Sequence, residues 1–137
     1  MPDKRFVESA PGFATMALSD LPDAIAPDGS EVRLLLALSG GGMAHFTLAS
    51  GKVSKAVFHR SVEEIWYFIS GSGQMWRSLD GTSEIVEVSS GVCITIPVGT
   101  TFQFRSSGTE PLSALGVTMP PWPGEQEAVL VDREWQG

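Results

Sequence analysis

The chain has 137 residues, 42% of them hydrophobic and 18% charged, which suits one compact domain and argues against disorder. Its formal net charge of −7 leaves no basic stripe for a nucleic-acid backbone or an anionic membrane surface, so neither is expected as a partner. No stretch approaches the roughly 20 apolar residues of a membrane helix, and "MPDKRFVESAPGFATMALSDLP" lacks the apolar segment of a signal peptide. A single cysteine, Cys93, cannot close an internal disulfide, and a chain without Asn has no N-glycosylation site. These features predict a cytoplasmic protein.

Residues 1–30 read as an N-terminal arm. Within it "LSDLPDAIAP" predicts a short helical turn, capped by Ser19 or Asp20, with Pro22 at a first helical position. From Glu31 the pattern changes to nine β-rich runs: "EVRLLLAL", "MAHFTLA", "KVSKAVFH", "EEIWYFI", "GQMWRSL", "SEIVEV", "VCITI", "TFQFRS" and "LSALGVT". Glycine- and serine-rich turns separate them, which predicts an all-β, single-domain antiparallel sandwich or barrel over residues 31–118. "SGSGQ" reads as a hairpin turn, because no helix follows that would make it a phosphate loop. Residues 119–137 begin too rich in proline for a central strand and are expected to wrap the barrel or reach a partner. In "EEIWYFI" both faces are apolar, Trp66 and Phe68 on one and Ile65, Tyr67 and Ile69 on the other. The outer face should therefore be covered by a second subunit or by the tail.

In "VFHRSVEEIWYFISG", Val57, His59, Glu64 and Gly71 have the spacing of the first motif of the cupin superfamily, in which two histidines, a glutamate and a glycine occupy those places. Gly91, Pro97 and Gly99 match the second motif, with Phe102 where a histidine belongs and Ser106 where an asparagine belongs. The chain thus resembles the cupins over residues 30–118. The resemblance implies a jelly-roll barrel, or double-stranded β-helix, and a homodimer. It does not imply one activity, because cupins include dioxygenases, decarboxylases, isomerases, ligand sensors and storage proteins.

The motif's three histidines and one carboxylate converge inside the barrel and suit Fe, Mn, Ni, Cu or Zn. Here only His59 and Glu64 of the four remain, and they are metal ligands only if a metal is bound; no cofactor is the first expectation and a divalent transition metal the alternative. His45, the other histidine, completes the shell if its strand faces inward. Cys93 reads as a small buried thiol. Without a metal, His59 and Glu64 pair by a hydrogen bond and are the candidate catalytic residues. Trp66, Phe68, Phe102, Phe104, His45 and Gln74 are the candidate ligand-binding residues. Three readings follow: a metal-poor barrel binding a small molecule, with the pair as polar anchors or as the base and orienting group of an acid/base isomerase; a metal-dependent dioxygenase or isomerase; and a structural or partner-binding barrel with a filled interior.

Overall fold

The computed structural model describes residues 12–124 and 126–136, together with the backbone of Phe6–Val7. Three short strands precede the barrel: β1 (Phe6–Val7), β2 (Thr15–Met16) and β3 (Ala24–Ile25). The nine runs become β4 (Glu31–Leu38), β5 (Gly41–Leu48), β6 (Val57–His59), β7 (Glu63–Ser70), β8 (Ser72–Leu79), β9 (Thr82–Ser89), β10 (Cys93–Ile96), β11 (Thr101–Ser106) and β12 (Leu112–Met119). A last strand, β13 (Ala128–Leu130), follows in the tail.

Two antiparallel sheets make the barrel, one in the order β10-β7-β12-β5-β4-β3 and the other β13-β6-β11-β8-β9. Along β7 burial alternates strictly, with Glu64, Trp66 and Phe68 inward and Glu63, Ile65, Tyr67 and Ile69 outward. Ile94, Ile96, Met75, Phe102, Phe104, Leu112 and Ala114 join Trp66 and Phe68 in one core. Phe68 and Phe104 are 0% and 2% exposed, so they pack the interior. Trp66 meets Phe104 edge-on at 5.2 Å.

Three local expectations are corrected. The described residues contain no helix, and "LSDLPDAIAP" forms bends leading into β3. Leu21 and Ile25 in that segment are exposed, so no apolar helix face is buried. "SGSG" does not close a hairpin, because β7 and β8 lie in different sheets. Gly71, at φ +79°, instead turns the chain from one sheet to the other. Cys93 is exposed rather than buried, since it has the outward parity of β10.

Gly73 lies where β8 crosses β11, and a Cβ built there would stand 2.0 Å from the Arg105 carbonyl oxygen. Gly73→Ala is therefore expected to destabilise the protein by about 1 to 3 kcal/mol. Urea unfolding measures it, and an unchanged midpoint would contradict this packing.

The tail covers the outer face of β11. Gln103 has outward parity yet is fully buried. Its amide donates to the carbonyls of Ser54 and Trp135, and its carbonyl accepts the N–H groups of Glu134 and Trp135. Arg105 stacks over the Trp135 ring at 4.2 Å. Ile65, Tyr67 and Ile69 on the other sheet stay 42%, 48% and 36% exposed, so the described tail leaves that face open.

Candidate functional site

Opposite the sealed core, the barrel holds a cavity of about 450 Å³. Strand pairing explains who lines it. β6 and β11 pair Val57 with Phe102, and β7 and β12 pair Glu64 with Thr118, so all four side chains point inward at one level. His59, two residues after Val57, shares its face. The motif positions 57, 59, 64 and 102 thus meet around one cavity. Gly116 leaves room for its largest aromatic group, because a Cβ there would press on the Phe46 and Trp66 rings at 2.8 Å and 3.1 Å. Those two rings stack with centroids 4.9 Å apart.

Glu64 is 3% exposed and accepts two hydrogen bonds, from Trp66 Nε1 at 3.0 Å and from the Thr118 hydroxyl. Burial nevertheless pushes its carboxyl up to about 7; the Thr118 and Trp66 bonds oppose the rise, and the charges of Asp28 and Glu127 add to it. His59 is 6% exposed, held edge-on between Phe102 and Trp122 at 5.2 Å and 5.0 Å. Burial holds its imidazole down at about 4, against the opposing pull of the Glu127 carboxylate. At neutral pH His59 is therefore uncharged and Glu64 shares its proton with solvent about equally.

The expected His59–Glu64 hydrogen bond is corrected. Nδ1 stands 3.7 Å from Glu64 Oε1, beyond hydrogen-bond range, and it has no other partner among the described residues. Glu64 takes its bonds from Trp66 and Thr118 instead.

His45 and Gln74 do not line the cavity. Ala44 and Phe46 on β5 do, which puts His45 on the opposite face, paired across β12 with Leu115. Gln74 faces away from the core residues Gly73 and Met75 of β8 and bonds Arg105 and Glu87. Phe68 and Phe104 lie in the core beyond the cavity wall, whereas Trp66 and Phe102 form part of it.

The polar and aromatic cavity residues Asp28, Phe46, Thr118 and Trp122 stand outside the sequence expectations. Asp28 comes from the turn between β3 and β4; burial raises its carboxyl, partly offset by two bonds from Ser30. Trp122 comes from the tail, whose β13 pairs Ala128 with His59. Glu127 anchors that tail by accepting the Ser61 and Val62 N–H groups and the Ser61 hydroxyl. Burial would raise the Glu127 carboxyl, but these bonds, with the His59 interaction, leave it lowered.

The residues present do not fit the metal-binding shell of the cupin motif. Val57 and Phe102 offer hydrocarbon at two of its positions, and both Glu64 oxygens are engaged by Trp66 and Thr118. Among the described residues no three His, Cys, Asp or Glu side chains gather closely enough to hold an ion.

No family model matches the chain, and no curated protein matches it in sequence. Solved structures match it in fold. A Klebsiella pneumoniae protein with a double-stranded β-helix domain superposes with a TM-score of 0.63 at 16% identity, over 76% of this chain and 85% of its own. Oxalate decarboxylase of Bacillus subtilis, with Mn(II) centres, reaches 0.71 at 19% identity over 91% of this chain, which spans only 35% of that enzyme. The nucleoside dehydratase Pac13 gives 0.61 at 18% identity, over 76% of this chain and 79% of its own. Two facing antiparallel sheets and these likenesses show that the chain has the double-stranded β-helix fold.

Proposed function

We propose that this chain is a small-molecule-binding cupin whose barrel site works without a tightly held metal, with His59 and Glu64 as its polar anchors. The observation that carries this reading is an apolar cavity of about 450 Å³ that retains a buried histidine and a buried carboxyl while hydrocarbon occupies two ligand positions of the motif. A cavity of that size argues against a filled, purely structural barrel. Any chemistry is proton transfer of the isomerase or dehydratase kind. Glu64, near 7, is the group poised to give and take a proton, and neutral His59 orients or accepts. A cytoplasmic location is part of this reading, supported by a single cysteine that closes no internal disulfide.

The test is a thermal-shift screen of small polar and cyclic compounds, followed by titration against Ala44→Phe, which narrows the cavity. Binding to the unmodified protein should weaken about tenfold or more in that variant. A screen without a saturable binder, or binding indifferent to Ala44→Phe, would overturn the reading.

The open face around Ile65, Tyr67 and Ile69, extended by exposed Met43 on β5, supports a homodimer through the outer side of the β7 sheet. Sedimentation should give twice the chain mass of 14.6 kDa at micromolar concentration, and Tyr67→Asp should return it to the single chain. A monomeric unmodified protein contradicts the dimer.

A further inference from the structure

Asp28 and Glu64 both line the cavity, each buried, and no lysine or arginine lines it with them. Asp28 Oδ1 takes both Ser30 bonds, leaving Oδ2 without a partner among the described residues. His59, 94% buried and facing the same space, has an unpartnered Nδ1 and makes no side-chain hydrogen bond among the described residues. Two interior donors, the Trp66 N–H and the Thr118 hydroxyl, are already given to Glu64. Apart from the half-exposed indole of Trp122 and the single N–H of neutral His59, what remains for a ligand is acceptor capacity: two carboxyls and the other imidazole nitrogen. Around them stand aromatic faces, the stacked Phe46 and Trp66 among them. Two acids buried together without a protein cation lack the charge that would offset their burial.

We propose that the missing charge is the ligand's, and that the site takes an organic ammonium ion, a primary amine with an apolar or aromatic body. Its N–H groups donate to Glu64, Asp28 and His59, and its carbon skeleton and positive charge lie against the aromatic rings. A carboxylate ligand meets two like charges and no cation. A neutral alcohol supplies one donor and leaves both carboxyls uncompensated. The proposal rests on the ligand-binding reading above and adds the ligand's charge.

The experiment titrates the protein at pH 8 with three probes of one shape: benzylamine, benzyl alcohol and benzoate, followed by tryptophan fluorescence and calorimetry. Benzylamine is expected to bind about tenfold or more tightly than the alcohol, and benzoate not to saturate. Glu64→Gln and Asp28→Asn, each shown folded by circular dichroism, should each weaken benzylamine about tenfold. Benzoate or benzyl alcohol binding as well as the amine would overturn the ammonium assignment while leaving the ligand-binding reading intact. An amine preference that survives both substitutions would overturn the assignment of these two carboxyls. Failure of all three probes to saturate at about 10 mM, weaker than any useful affinity, would overturn both.

Discussion

Replacing Glu64 with glutamine is expected to make the protein more stable above pH 7 and to change little near pH 4.5. Folding moves this carboxyl from its ordinary value of 4.5 to about 7, so the folded state holds the proton more tightly than the unfolded chain. The stabilising effect of that proton is complete below 4.5 and is lost as pH rises through 7, a loss of about 3 kcal/mol. His59 has the opposite sign. Its imidazole falls from 6.5 to about 4 on folding, so the stability of keeping it neutral is complete above 6.5 and lost as pH falls through 4. Between about 4.5 and 6.5 the two slopes oppose one another, and the unmodified protein should show a shallow dependence there. Glutamine keeps an acceptor for Trp66 or Thr118 and removes only the ionisation. Denaturant unfolding at pH 5 and pH 8 should therefore show the variant ahead by about 2 to 3 kcal/mol at pH 8 and close to the parent at pH 5. A variant less stable than the parent by the same amount at both pH values would contradict the burial of an ionising Glu64.

Val57→His combined with Phe102→His should create a metal site. Positions 57, 59, 64 and 102 already meet around one cavity, and Val57 and Phe102 are paired across β6 and β11. Two added imidazoles with His59 and Glu64 complete the three-histidine, one-carboxylate set, provided Glu64 exchanges its Trp66 and Thr118 bonds for the ion. Loss of the buried phenyl ring costs about 2 to 4 kcal/mol, which metal binding should offset, so melting should become metal-dependent. The expected result is about one equivalent of zinc or manganese bound by the double variant, and none when Glu64→Gln or His59→Ala is added. A folded double variant that binds neither ion would show that these four positions do not converge as described.

Much of this architecture was legible because the residues alternate. Every run from "EVRLLLAL" to "LSALGVT" contributes a strand, although in "KVSKAVFH" only Val57–His59 is one. Period-two spacing and the motif glycines were enough to bring Val57, His59, Glu64 and Phe102 together. Parity failed where both faces of a strand are apolar or where something outside the barrel covers one. In "MAHFTLA", Ala44 and Phe46 compete with Met43 and His45 for the interior, and only pairing with β4 and β12 decides for Ala44 and Phe46. Gln74 depended on a one-residue register after the glycine turn. Gln103 is buried by the tail, a contact between residues more than 30 apart that no local pattern announces. Asp28 was hidden for another reason. In "APDGS" an aspartate before glycine reads as turn chemistry, which it performs through Ser30, and its place on the cavity wall follows only from how β3 and β4 pack against the barrel.

A barrel site that works without a tightly held metal leaves the purified protein without one, which elemental analysis reads. The protein would be expressed in medium supplemented with manganese, iron, nickel, copper and zinc, purified without chelators or a histidine tag, and measured by inductively coupled plasma mass spectrometry. Less than about a tenth of an equivalent of any transition metal per chain is expected, because a two-donor remnant is too weak to retain an ion through purification. A full equivalent of one metal, retained through gel filtration and lost in Glu64→Gln, would contradict it.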